Sequence, residues 1–207
     1  MRAEPASFER IAAALRAPRA PSSDFDLNPD YRLPPDRKLR PAGVLCALLN
    51  VDGELRVILT VRNSRLKHHP GQIAFPGGKQ DPGDADPTAA ALREAREEIG
   101  LDPANVEILG SLPSHETVTA FQVTPVVGRI RDPFAFRPEP DEVAEVFTVP
   151  LSHLLTPANY TVQSRRWQGM DRHYFTVPWG PYYIWGATAR MLRIFAEAMR
   201  DAEVAAE

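Results

Sequence analysis

The sequence predicts one α/β domain. A chain of 207 residues, 43% of them hydrophobic, is long enough to build one domain with a real core, with or without extended ends. Two apolar runs of strand character flank Asp52-Gly53, a pair favoured in hairpin turns. Helical segments with recognisable start and stop residues alternate with further strand-like runs, and no internal repeat or low-complexity tract interrupts them.

Taken in order, residues 8–16 read as a short amphipathic helix. Residues 18–41 are rich in Pro, Asp and Arg and are expected to form an irregular arm over the surface, so that the domain carries an N-terminal extension of about 1–41. Strands are expected at 42–49 and 55–62. A basic loop follows, with Arg65, Lys67, His68 and His69 after Arg62, and it runs to Gly71. Pro76-Gly77-Gly78 is expected to turn the chain toward the main helix. Asp86 is a good N-cap, Pro87 a good first helical residue, and Gly100 a C-cap residue. Strands near 107–112 and 122–130 come next. The segment 142–149 leads into Pro150 and a short helix at 151–155. A strand pair near 160–167 and 173–177 precedes a final helix over about 186–203.

The main helix carries the chemistry. Glu94, Glu97 and Glu98 stand at i, i+3 and i+4, so a helix presents their carboxylates on one side. Like charges that close repel unless something positive sits among them. A hard divalent cation such as Mg²⁺ suits carboxylate oxygens and a bound phosphate. The plainer alternative is a solvated acidic face with Arg93 and Arg96 as local partners. The glycine turn and basic loop just upstream favour the cation.

Gly78, Asp84, Arg93, Glu94, Glu97, Glu98, Gly100 and Leu101 together resemble the Nudix box, the metal-binding motif of hydrolases that split diphosphates linked to another moiety. Asp84 stands where the general box has Glu, and the gap from Gly78 to Arg93-Glu94 is one residue longer. Both departures match the coenzyme A pyrophosphatase branch. Upstream, Ile58, Leu59, Thr60, Arg62, Asn63, Lys67, Gly71, Phe75, Pro76, Gly77 and Gly78 are similar to that branch's signature in unbroken spacing. Asn63 departs from its Ser or Ala. Lys67 replaces Arg, keeping the charge but losing the bidentate fork. The run from Tyr183 to Ala189 also resembles the branch, so the resemblance spans about 40–195.

The resemblance implies a mixed sheet sandwiched between helices. It implies metal-dependent hydrolysis of the diphosphate of coenzyme A or its derivatives, giving 3′,5′-ADP and 4′-phosphopantetheine or its acyl form. Mg²⁺ (or Mn²⁺) is the implied cofactor, held by Glu94, Glu97, Glu98 and the Gly78 carbonyl, with Arg93 orienting a glutamate. Cations of this kind neutralise phosphate oxygens and lower the pKa of bound water. A general base often comes from outside the box. Glu116, Glu142 and Glu145 are the candidates, and Glu94 or Glu98 is the alternative. Arg62, Arg65, Lys67, His69 and Gly71 are the candidate substrate contacts. His68 and His69 are adjacent and lack a third soft ligand, so they are not read as metal ligands. Trp185 is expected near the site, with most other C-terminal aromatics in the core. The rivals are a Nudix hydrolase of ADP-ribose, NADH or a dinucleotide, and a non-catalytic Nudix module. Retention of all the box glutamates speaks against the module.

Composition narrows the partners. The net charge of −3 gives no global basic field for nucleic acid or a membrane. The single cysteine, Cys46, excludes an internal disulfide and lies in an apolar run, as a small core residue would. No apolar window is long enough to span a bilayer, and neither a signal peptide nor a lipidation signal is expected. The expectation is a cytoplasmic protein with a small-molecule substrate, and homodimer formation stays open. The 21 prolines concentrate in loops, where they restrict the unfolded chain.

Overall fold

The computed structural model describes residues 7–31, 36–65, 71–167 and 169–205. The apolar run around Cys46 becomes the middle of the long strand β2 (Arg40–Val51), which follows α1 (Phe8–Leu15) and β1 (Ser22–Ser23). After it come β3 (Glu54–Arg62), β4 (Ile73–Ala74), β5 (Gly77–Lys79), α2 (Pro87–Ile99), β6 (Val106–Ser111), β7 (His115–Glu116) and β8 (Phe121–Ile130). The chain closes with β9 (Val143–Pro150), α3 (Leu151–Leu154), β10 (Thr161–Trp167), β11 (Met170–Thr176) and α4 (Gly186–Val204).

Among the described residues, nine strands form one mixed sheet, and β10 and β11 form a separate antiparallel pair. β2 is central. It runs parallel to β8 from Arg40↔Phe121 to Leu48↔Arg129 and antiparallel to β3 and β5 on its other edge. Both its faces are covered, which is why its sequence is a continuous apolar run rather than an alternating one. Cys46 and Leu48 face the side packed by α1, α3 and α4 with Ile11, Leu154 and Phe195. Leu45, Ala47 and Leu49 face the other side, under Ala91, Ala95 and Ile99 of α2. The sheet is thus sandwiched between helices, as expected. Burial pushes the Cys46 thiol up to about 12, so it is an inert core residue.

The hairpin turn is where the sequence places it. Asp52 and Gly53 both take positive φ, at 51° and 88°, and the Gly53 N–H donates to Asn50 Oδ1 at 2.9 Å. Three expectations need correction. The glycine turn at 77–78 is a strand, β5, pairing Val44↔Gly77 and Gly43↔Gly78. The segment around Glu116, left between the expected strands at 107–112 and 122–130, is also a strand, β7, on the edge of β8. The Pro-rich arm is not wholly irregular either: β1 pairs with β7, and β2 starts at Arg40. Buried His115 anchors that arm, with Nδ1 2.8 Å from Ser22 Oγ and Nε2 3.3 Å from Asp24 Oδ1. Arg172 adds an ion pair to Asp24 at 3.1 Å. These pairings are long-range, so local sequence does not announce them. Among the described residues, no helix is long and apolar enough to cross a membrane.

Candidate active site

The site grows from the placement of α2. Asp86 caps it by accepting from the Ala89 N–H at 2.8 Å, and Pro87 opens it. Gly100 ends it in the left-handed region at φ 73°, donating to Arg96 O at 3.1 Å. The first turn of α2 lies almost on β2. A Cβ at Gly43 would stand 1.8 Å from Pro87 O, so only glycine permits this approach. Gly78 also faces α2, where a Cβ would meet Glu94 Oε1 at 2.4 Å, a side-chain end that can move where the Pro87 carbonyl cannot.

Glu94 and Glu98 are one helical turn apart and point the same way, toward β5. Glu98 is 3% exposed, accepts from the Gly77 N–H at 3.1 Å and has Arg62 Nη1 at 3.8 Å. Glu142, just before β9, completes the group: carboxylate oxygens of Glu94, Glu98 and Glu142 lie within 4.8 Å of one another. Burial pushes the Glu98 carboxyl up to about 7, against the Gly77 N–H and Arg62, with Glu94 and Glu142 adding to the rise. Burial raises Glu94 as well, although Arg93 opposes it. An oxygen-only donor set of crowded carboxylates, strained by its own charge, fits a hard divalent cation.

Glu97 is not part of that group. At 100° per residue it lies about 100° around the helix from Glu98, on the more exposed flank. There it accepts from Arg93 Nη1 at 3.0 Å. Of the three helix acids, Glu94 and Glu98 stand together with Glu142, while Glu97 is paired to Arg93. Arg93 is the organiser. Its guanidinium takes Asp84 with Nε at 3.0 Å and Nη2 at 2.9 Å, Glu94 at 2.9 Å and the Lys79 carbonyl at 3.1 Å. Asp84 reaches it because the loop folds back, with Asp84 N–H bonded to Asp81 O at 2.9 Å. The Arg93 bonds hold the Asp84 carboxyl below the usual carboxylate range.

The other sequence candidates divide. Arg62 turns toward Glu98. Arg65 is 72% exposed, 3.7 Å from Asp141, with Nη2 donating to Pro140 O at 3.3 Å. Gly71, at φ 69°, returns the basic loop by donating to Arg62 O at 3.1 Å. Lys67, His68 and His69 lie outside the described residues. Glu145 is bonded to the Tyr182 hydroxyl, and Phe147 stacks on the same ring at 3.6 Å. Glu116 is ion-paired to Arg37 at 3.0 Å on β7, separated from β5 by β8 and β2. Neither acid joins the carboxylate group. Trp185 stands at the start of α4, edge-on to Tyr174 at 5.1 Å and with the Arg165 guanidinium 5.0 Å from its ring. α4 meets β4 where Thr188 Oγ1 donates to Ile73 O at 3.0 Å. Gly43 and the Gly77 N–H escaped sequence reasoning, since nothing local marks a glycine as facing a helix or a carboxylate.

The α/β sandwich with a capped acidic helix seated beside a glycine-containing strand is the scaffold against which the comparisons with known proteins are set. Residues 39–171 match the NUDIX domain family. The chain is 43% identical over 157 residues to "Uncharacterized Nudix hydrolase NudL" of Enterobacter sp. (strain 638), covering 76% of this chain and 81% of that protein. It is 42% identical over 166 residues to "Nudix hydrolase 15, mitochondrial" of Arabidopsis thaliana, covering 76% of this chain and 58% of that protein. Among solved structures, a MutT/nudix family protein from Enterococcus faecalis superposes with a TM-score of 0.50 at 18% identity, over 84% of this chain and 66% of that one. The chain belongs to the Nudix hydrolase family.

Proposed function

We propose that this Nudix hydrolase splits the diphosphate of coenzyme A or its derivatives, releasing 3′,5′-ADP and 4′-phosphopantetheine or its acyl form. The convergence of Glu94, Glu98 and Glu142 carries the reading of a metal-dependent diphosphatase. The upstream signature from Ile58 to Gly78, unbroken in spacing and departing at Asn63 and Lys67, supports the substrate. Glu94 and Glu98, rigid on α2, would hold Mg²⁺ or Mn²⁺, and the Gly78 carbonyl on β5 is the proposed backbone ligand. Such a cation neutralises phosphate oxygens and acidifies water. Arg93 fixes Glu94 and, through Asp84, the loop beneath it. Glu97 stays within reach of this group through Arg93, a supporting position. Glu142 is exposed and comes from a loop rather than the helix, so it is the proposed acceptor of the water proton. Arg65, with Lys67 and His69 of the same loop, is the proposed contact for substrate phosphates.

A panel of coenzyme A, ADP-ribose, NADH and dinucleotides with Mg²⁺ tests this. Coenzyme A is expected to give the highest kcat/KM. Arg65→Ala and Lys67→Ala are each expected to lower it about ten- to a hundredfold, the worth of one charge-assisted hydrogen bond. A 3′-phosphate contact spares 3′-dephospho-coenzyme A, whereas a diphosphate contact affects both. Preference for ADP-ribose or NADH would replace this reading with that of a general Nudix diphosphatase.

A further inference from the structure

Asn63 occupies the position where the branch signature carries Ser or Ala, and its side chain joins two loops. It is 9% exposed. Its Nδ2 donates to Pro140 O at 2.7 Å, its Oδ1 accepts from the Arg65 N–H at 2.9 Å, and its own backbone N–H donates to Glu142 O at 2.8 Å. One residue thus ties the start of the basic loop to the segment that carries Glu142. On its far side the same segment is tied to the end of α2. The Arg137 N–H donates to Ile99 O at 3.0 Å and the Glu139 N–H to Glu98 O at 2.9 Å. Internally, the Glu142 and Val143 N–H groups both return to Glu139 O, at 3.0 and 2.8 Å. The Glu142 segment is therefore suspended between α2 and Asn63.

We propose that Asn63 is a positioning residue that sets Glu142 against Glu94 and Glu98 while fixing the backbone that aims Arg65. The inference rests on Glu142 acting as the proton acceptor. A Ser or Ala here would keep the backbone bond to Glu142 O, which any residue supplies, but would not reach Pro140 O. Arg65 Nη2 also approaches Pro140 O, at 3.3 Å, but from a side chain that is mostly in solvent, so it is a weak substitute. A displacement of about 1 Å in a reacting group can cost on the order of a hundredfold in rate. Losing a residue that orients a working side chain typically costs about ten- to a hundredfold.

The two ends of the amide can be separated. Asn63→Asp keeps an acceptor for the Arg65 N–H but turns a second acceptor on Pro140 O. Asn63→Ser removes the reach to Pro140 and is the safer variant should the acid disturb folding. Both are expected to lower kcat about ten- to a hundredfold. For Asn63→Asp, KM should stay within about twofold, because the Arg65 bond survives. If Asn63 works through Glu142, the double variant Asn63→Asp/Glu142→Gln should be no slower than Glu142→Gln alone. Amide hydrogen exchange provides a reading that needs no turnover: the Glu142 and Val143 N–H groups should exchange faster in both variants than in wild type. Wild-type kcat in both variants, unchanged exchange, or losses that multiply in the double variant would each overturn the proposal. Faster exchange in a protein inactive on every diphosphate would instead overturn the functional reading and leave the loop coupling standing.

Discussion

Glu98 shows how a residue acquires its role from its surroundings. In sequence it is one acid among three. In the fold it is the buried one, with a backbone N–H on one oxygen and two further carboxylates close by. Its raised pKa has a measurable sign. Between the ordinary value near 4.5 and the folded value of about 7, the folded state holds a proton that the unfolded chain has released. Metal-free stability therefore falls as pH rises through that window, by on the order of 2–3 kcal/mol from this group. Glu98→Gln should flatten that slope, so that in EDTA the variant is more stable than wild type at pH 8 and the difference fades toward pH 5. Urea melts at several pH values would show it. The same substitution should cut kcat by about a hundredfold or more. Glu97→Gln should cost less, since Glu97 touches Arg93 rather than the carboxylate group. Equal losses would mean that Glu97 joins the group when metal binds.

At the scale of elements, the governing contact is α2 on β2. The helix carries buried Glu98 and half-buried Glu94, so its seat on the strand sets where they stand. Gly43 is the seat. The Cβ of Gly43→Ala would press on backbone, the Pro87 carbonyl, which has no rotamer to move into. The start of α2 must then lift, at a cost of roughly 1–3 kcal/mol, and Glu94 and Glu98 move with it. Lower stability in denaturant together with a lower kcat is the expected result. A variant with wild-type values of both would show that α2 is free to shift without consequence. The ends of α2 were legible in Asp86, Pro87 and Gly100, because caps are local chemistry. Strands β1, β4, β5 and β7 were not, because two- and three-residue strands exist only through partners distant in the chain.

For the whole molecule, a cation held as proposed by the carboxylate group would couple metal to stability. Gly77 on β5, Glu94 and Glu98 on α2, and Glu142 beside β9 come from separate parts of the chain, so a cation bound among the acids favours the folded state over the unfolded one. At a hundred times its Kd it should add about 2.7 kcal/mol, or roughly 5–10 °C in Tm for a chain of this length. Mg²⁺ or Mn²⁺ should raise the Tm of wild type, EDTA should reverse it, and Glu98→Gln should abolish the response. An unchanged Tm in wild type would count against cation binding at this group. The N-terminal arm belongs to this scale too. His115, fully buried, and Arg172 hold Asp24 from two different strands, which makes part of a Pro-, Asp- and Arg-rich arm a piece of the sheet edge.

The sequence by itself determined the α/β class, the central apolar strand, the Asp52-Gly53 hairpin, the capped acidic helix and the family resemblance. These rest on periodicity, turn chemistry and motif spacing, all of which are local. Tertiary structure decided which acids stand together. It brought Glu142 to Glu94 and Glu98, left Glu97 on the flank with Arg93, and committed Glu145 to Tyr182 and Glu116 to Arg37. Sequence spacing can place carboxylates on a helix, but the third member of the group arrives by a loop whose position depends on hydrogen bonds to Asn63 and to the end of α2, and those bonds exist only once the sheet has formed.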